Sequence, residues 1–133
     1  MLIDSIKQAK RVYIIGNGGS YANAAHIAND LLSCGIRAYT LDAATLTAFA
    51  NDIDYQNCFA HWLHIVGEPG DLLIALSGSG KSPNIIFAIA QAEAIGMSVE
   101  RIFGASEGWN MQESEERQVW IGHEMMRQLK ADR

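Results

Sequence analysis

Residues 12–35 read VYIIGNGGSYANAAHIANDLLSCG, and this stretch decides the fold. Val12, Tyr13, Ile14 and Ile15 form a short β-branched and aromatic run that stops at a glycine, the composition of a strand buried on both faces of a parallel sheet. A helical stretch from about Ser20 to Cys34 follows, with Gly35 placed to close it. Residues 37–41 (RAYTL) then read as a second strand. The opening is therefore β-α-β, a connection that is right-handed in nearly all sheets.

The alternation continues outward. Residues 1–11 have helical spacing, with Leu2, Ile3 and Ile6 on one side. Residues 43–50 look helical, Asn51 and Asp52 read as a break, and residues 55–66 form an aromatic-rich helix ending before Gly67. Pro and glycine mark the turn over residues 67–71. Residues 72–76 (LLIAL) are the strongest strand in the chain and run straight into SGSGKS at 77–82. Pro83 suits the first turn of the next helix, to about Ile95, with Ser82 at its N-cap and Gly96 past its end. Residues 99–103 are a weaker fourth strand, and residues 113–129 a terminal helix. With no repeat and no linker, the pattern predicts one α/β domain over residues 1–133 with a parallel sheet.

Composition narrows the function. The 133 residues are 49% hydrophobic, enough for one core. Ten Lys and Arg against fifteen Asp and Glu give a net charge of −5, which argues against a nucleic-acid footprint. Cys34 and Cys58 form no CxxC, so both read as reduced thiols of a cytoplasmic protein. The N-terminus lacks a secretory h-region, and no apolar run approaches the roughly 20 residues of a membrane span.

Both glycine- and serine-rich stretches fall where a strand ends and a helix begins. Ligands of open parallel sheets bind there, and helix N-termini offer free N–H groups to anions. The hydroxyls of Ser77, Ser79 and Ser82 make a phosphate the natural guest. Neither stretch is a familiar nucleotide motif. The glycine that a Walker loop needs five residues before Gly80 is Ala75, and the last glycine of a dinucleotide fingerprint is Tyr21. On the intervening helix, His26 and Asp30 are spaced i, i+4 and project from one face, either as a surface pair or as a metal or acid–base pair. His61 and His64, on the aromatic helix, read as structural.

The strings GNGGSYANAAHIANDLL (16–32) and LLIALSGSGKSPNII (72–86) resemble the sugar isomerase (SIS) domain family, and within it the phosphoheptose isomerases. The resemblance covers residues 10–98 well and the last helix loosely. It implies a three-layer α/β/α sandwich with four to five parallel strands in flavodoxin-like order. It also implies conversion of sedoheptulose 7-phosphate to a heptose 7-phosphate for lipopolysaccharide core synthesis. Ser77, Gly78, Ser79 and Ser82, with Gly80 beside them, would hold the phosphate, and Asn17, Gly18, Ser20 and Asp52 would contact the substrate. Asp30 stands where the family has Glu, and His123 matches its acid. These two would handle the protons, and His26, Asp30, Glu115 and His123 would bind zinc, Glu115 replacing a Gln. The family further implies a homodimer or homotetramer. It also contains a second class, non-catalytic scaffolds that bind phosphosugar or associate with the bacterial replication initiator. Relatives carry a longer first helix and a further strand–helix unit between Met97 and the last helix, so four strands rather than five are expected here.

Overall fold

The structure is a computed structural model and describes residues 1–132. Four strands, β1 (Val12–Ile15), β2 (Ala38–Tyr39), β3 (Leu72–Ser77) and β4 (Ser98–Phe103), form one sheet in the order β2-β1-β3-β4. Every neighbouring pair is parallel, with Val12 opposite both Ala38 and Leu72, and Leu72 opposite Ser98. Among the described residues there are six α-helices, α1 (Leu2–Gln8), α2 (Gly19–Ser33), α3 (Ala43–Asp52), α4 (Cys58–Val66), α5 (Pro83–Ile95) and α6 (Met111–Ala131).

Alternation along the two central strands explains the layers. Val12, Ile14, Leu72, Ile74 and Leu76 pack with Ile3 and Ile6 of α1, Ala24, Ile27 and Leu31 of α2, and Leu129 of α6. Tyr13, Ile15, Leu73 and Ala75 point the other way, onto Phe59 and Leu63 of α4 and Ile85, Ala88 and Ile89 of α5. Side chains of successive strand residues face opposite sides, so two buried faces demand the continuous apolar runs seen in β1 and β3. The result is the three-layer sandwich that the family resemblance implies, with four strands. β4 is only half buried, with Glu100 and Arg101 among its residues.

Among the boundaries that differ from the sequence reading, three bear on the site. β2 is two residues long rather than five. Asn51 and Asp52 are not a break; they complete the last turn of α3, and the chain leaves the helix at Ile53. Residues 55–57 are not helical, because the Asp54 carboxylate accepts from the Asn57 backbone N–H at 2.7 Å and from its Nδ2, a local turn that starts α4 only at Cys58. Gly35 lies just beyond α2 at φ +81°, in the left-handed conformation its place requires. Both cysteines are free and buried. Among the described residues no helix is long and apolar enough to cross a membrane.

Candidate functional site

Because β2 lies on one side of β1 and β3 on the other, the strand order reverses between β1 and β3. Ligands of open α/β sheets bind at this switch point, outside the carboxyl ends of the strands. The loop 16–18, leaving β1, and the loop 78–82, leaving β3, both start there. A cleft of about 70 Å³ between them is lined by Asn17, Ser20, Ser77, Gly78, Ser79, Ser82 and Met111, among others. A second cleft of about 170 Å³ lies on the other side of Asn17, against Gly18, Tyr21, Leu46, Thr47 and Tyr55.

The serine loop is built around its own hydroxyls. Ser77 Oγ accepts from the Gly80 N–H at 2.9 Å, and Ser79 Oγ from the Lys81 N–H at 3.1 Å. Each hydroxyl keeps its own O–H, free of the turn, for a ligand oxygen. Ser82 is the N-cap of α5, yet its side chain makes no cap hydrogen bond, and no acidic residue stands in the first turn. That helix end therefore offers N–H groups and a favourable dipole without an internal anion competing for them. Gly78 is close beneath Met111, whose Sδ would lie 2.5 Å from a Cβ added there. Gly80 needs its glycine for a second reason, φ +70°.

The glycine loop is held differently. Asn17 and Asn84 exchange side-chain hydrogen bonds at 2.9 and 2.8 Å, and the Tyr55 hydroxyl donates to Asn17 Oδ1 at 2.7 Å. Ser20 is buried and its hydroxyl accepts from Gln118 Nε2 at 3.0 Å. Burial and the nearby Asp42 charge push the Tyr21 phenol up, and its hydroxyl donates to the Leu41 carbonyl at 2.6 Å. Tyr55, Asn84 and Gln118 are site residues that the sequence reading missed. The Asp54-to-Asn57 turn signal would have put Tyr55 in a loop; nothing local marks Gln118.

A second cluster lies further along the α2–α6 seam. His26 and His123 bring their Nε2 atoms to 3.0 Å, and Asp30 Oδ2 lies 3.3 Å from the first and 3.6 Å from the second. Asp30 is 8% exposed, and its Oδ2 is buried with no hydrogen-bond partner. A buried carboxylate oxygen left unpaired is costly and asks for a cation or a proton. The donor set answers for a cation. With metal–ligand bonds of about 2.0–2.1 Å in tetrahedral geometry, ligand atoms sit about 3.4 Å apart, and the three observed separations bracket that value. These three residues are the metal-capable group among the described residues.

Glu115 is not part of it. Its carboxylate lies over Gly19, filling the space a Cβ there would need, two helical turns of α6 away from His123. Nor does Asp52 line either cleft; it is exposed at the end of α3, where it accepts from Asn51 Nδ2. The structure thus gathers Asn17, Ser20, Ser77, Gly78, Ser79 and Ser82 at one cleft and Gly18 at its neighbour. It gathers His26, Asp30 and His123 at the second cluster.

An open parallel α/β sandwich, with two small-residue loops at its switch point, is the class these features define. The family model described as SIS domain matches residues 1–103, and the chain belongs to the SIS domain family. It is 39% identical over 116 residues to the phosphoheptose isomerase of Thiobacillus denitrificans, an overlap of 81% of this chain and 59% of that protein. It is 42% identical over 104 residues to the phosphoheptose isomerase of Burkholderia pseudomallei, covering 72% and 53%. The chain thus spans under two-thirds of the length of these relatives. In fold it matches the phosphoheptose isomerase structure from Neisseria gonorrhoeae with a TM-score of 0.87 at 23% identity, over 98% of this chain and 81% of that one.

Proposed function

We propose that the protein is a phosphosugar aldose–ketose isomerase acting on sedoheptulose 7-phosphate, in the cytoplasmic supply of heptose for lipopolysaccharide. The observation that carries this reading is the convergence of His26, Asp30 and His123 around one unpaired, buried carboxylate oxygen. The relatives named phosphoheptose isomerase support the choice of substrate.

In the proposed site the phosphate sits on the Ser77, Ser79 and Ser82 hydroxyls and the N-terminus of α5. Ser20 and His26 are six residues apart on α2, about 9 Å at 1.5 Å per residue. A seven-carbon chain anchored at the serine loop is long enough for that interval. Asp30 takes the proton from the ketose C1, and His123 gives one to the C2 oxygen, forming an enediol. Proton return to C2 and loss of the O1 proton complete the aldose, with no net change in atoms or electrons. Through His26 Nε2, His123 Nε2 and Asp30 Oδ2 these residues would hold a zinc ion, which when bound would polarise a sugar oxygen, leaving Asp30 Oδ1 and His123 Nδ1–H as the proton-handling atoms. Asp30 is one methylene shorter than a glutamate, and its burial beside both imidazoles holds its oxygen within reach of them.

The His26 and His123 side chains are 49% and 39% exposed, so the cluster is open on one side. Trp120, exposed one turn before His123 on α6, supports a homodimer or homotetramer that covers this face. The test of the functional reading is turnover of sedoheptulose 7-phosphate by the parent, Asp30→Asn and His123→Gln proteins. The variants are expected to fall by at least about 100-fold. Phosphosugar binding without turnover in the parent would instead identify a non-catalytic binding module.

A further inference from the structure

We propose that Tyr55 is a positioning residue that fixes the Asn17 amide as a hydrogen-bond donor toward the bound phosphosugar, an inference that rests on the phosphosugar reading above. Asn17 is the residue shared by the two clefts at the switch point. Its carboxamide has two acceptor positions on Oδ1 and two N–H donors. Oδ1 accepts from Asn84 Nδ2 at 2.8 Å and from the Tyr55 hydroxyl at 2.7 Å, so both acceptor positions are filled. Nδ2 spends one donor on Asn84 Oδ1 at 2.9 Å, leaving one N–H.

The Asn17–Asn84 pair alone does not choose this arrangement. Two carboxamides bonded head to tail are equally satisfied when both are turned over together, and Asn17 would then keep a free acceptor lone pair. The Cys58 thiol, on the far side of Asn84, can donate or accept and so favours neither orientation strongly; the Tyr55 hydroxyl breaks the tie, because a phenol donates more readily than it accepts. Asn84 is buried, with little freedom of its own, and the Tyr55 ring is half exposed at the rim. The turn that carries Tyr55 is itself tied, through the Asp54 carboxylate and Asn57, to the start of α4. A fixed N–H between the clefts donates to a sugar oxygen next to the phosphate end of the chain, an acceptor that inorganic phosphate does not offer there. The serine loop needs no such help to hold inorganic phosphate.

Calorimetry on the full chain with two probes, sedoheptulose 7-phosphate and inorganic phosphate, tests this. Tyr55→Phe is expected to weaken the phosphosugar about tenfold, the worth of one well-made hydrogen bond to a ligand, and to change phosphate affinity less than twofold. In an Asn17→Ala background the same Tyr55→Phe change is expected to have no further effect on the phosphosugar. Equal phosphosugar affinity in the parent and Tyr55→Phe proteins overturns the proposal, as does a parallel loss of both probes, which is what a merely loosened loop gives. A parent protein that binds phosphate and no phosphosugar removes the functional reading, and this inference with it.

Discussion

Gly122 of α6 packs so closely on Ile27 of α2 that a Cβ added to the glycine would lie 2.6 Å from Ile27 Cγ1. The near approach of these two helices is what brings His123, the next residue, to within 3.0 Å of His26. Gly122→Ala is therefore expected to force the helices apart, cost about 1–3 kcal/mol of stability as overpacking does, and lower zinc affinity. Urea unfolding and a competitive zinc titration measure the two effects on the same variant.

Within the serine loop, two hydroxyls that look alike in sequence have different jobs. The Ser82 hydroxyl makes no hydrogen bond within the cap of α5, whereas Ser77 Oγ holds the Gly80 N–H. Ser82→Ala should weaken phosphosugar binding about tenfold with an unchanged melting temperature. Ser77→Ala should weaken binding and also lower the melting temperature, because the turn loses the acceptor of the Gly80 N–H. Calorimetry and thermal melts on both variants separate the roles.

How much of this could be read along the chain follows from how local each signal is. β1, β3 and α5 announce themselves through unbroken apolar runs, glycine stops and Pro83, and all three stand where expected. The paired loops and the i, i+4 spacing of His26 and Asp30 were equally visible. Gln118 against Ser20, and Asn84 against Asn17, join residues 98 and 67 positions apart, and no periodicity reports such a meeting. Glu115 shows the converse: eight residues before His123, it lies on the seam between α2 and α6, but it serves Gly19 at the other end.

Asp42 caps α3, a wall of the larger cleft, by accepting from Thr45 N at 3.1 Å and Thr45 Oγ1 at 2.9 Å. The bonds from Thr45 hold its carboxyl below the usual carboxylate range. A lowered folded value means that the cap stabilises above the unfolded value, near 4, and that this contribution fades as pH falls through the folded one. Asp42→Ala should melt below the parent at pH 7, with the gap closing below about pH 4. Circular-dichroism melts of both proteins across that range check the sign.

In the proposed zinc site, the metal-free protein has two imidazoles and a carboxylate whose buried Oδ2 makes no hydrogen bond. Chelator-treated protein is expected to melt at a lower temperature than zinc-loaded protein, and Asp30→Asn should remove most of that difference. A shift in melting temperature that Asp30→Asn leaves intact would place the metal elsewhere.

In the proposed mechanism Asp30 and His123 move protons on a phosphosugar held by the serine loop. Zinc-loaded protein incubated with sedoheptulose 7-phosphate in deuterated water, followed by proton NMR of the sugar, tests it most directly. A heptose 7-phosphate carrying deuterium at C2 is expected from the parent and not from Asp30→Asn. Tight binding of the phosphosugar with neither product nor deuterium exchange would contradict it.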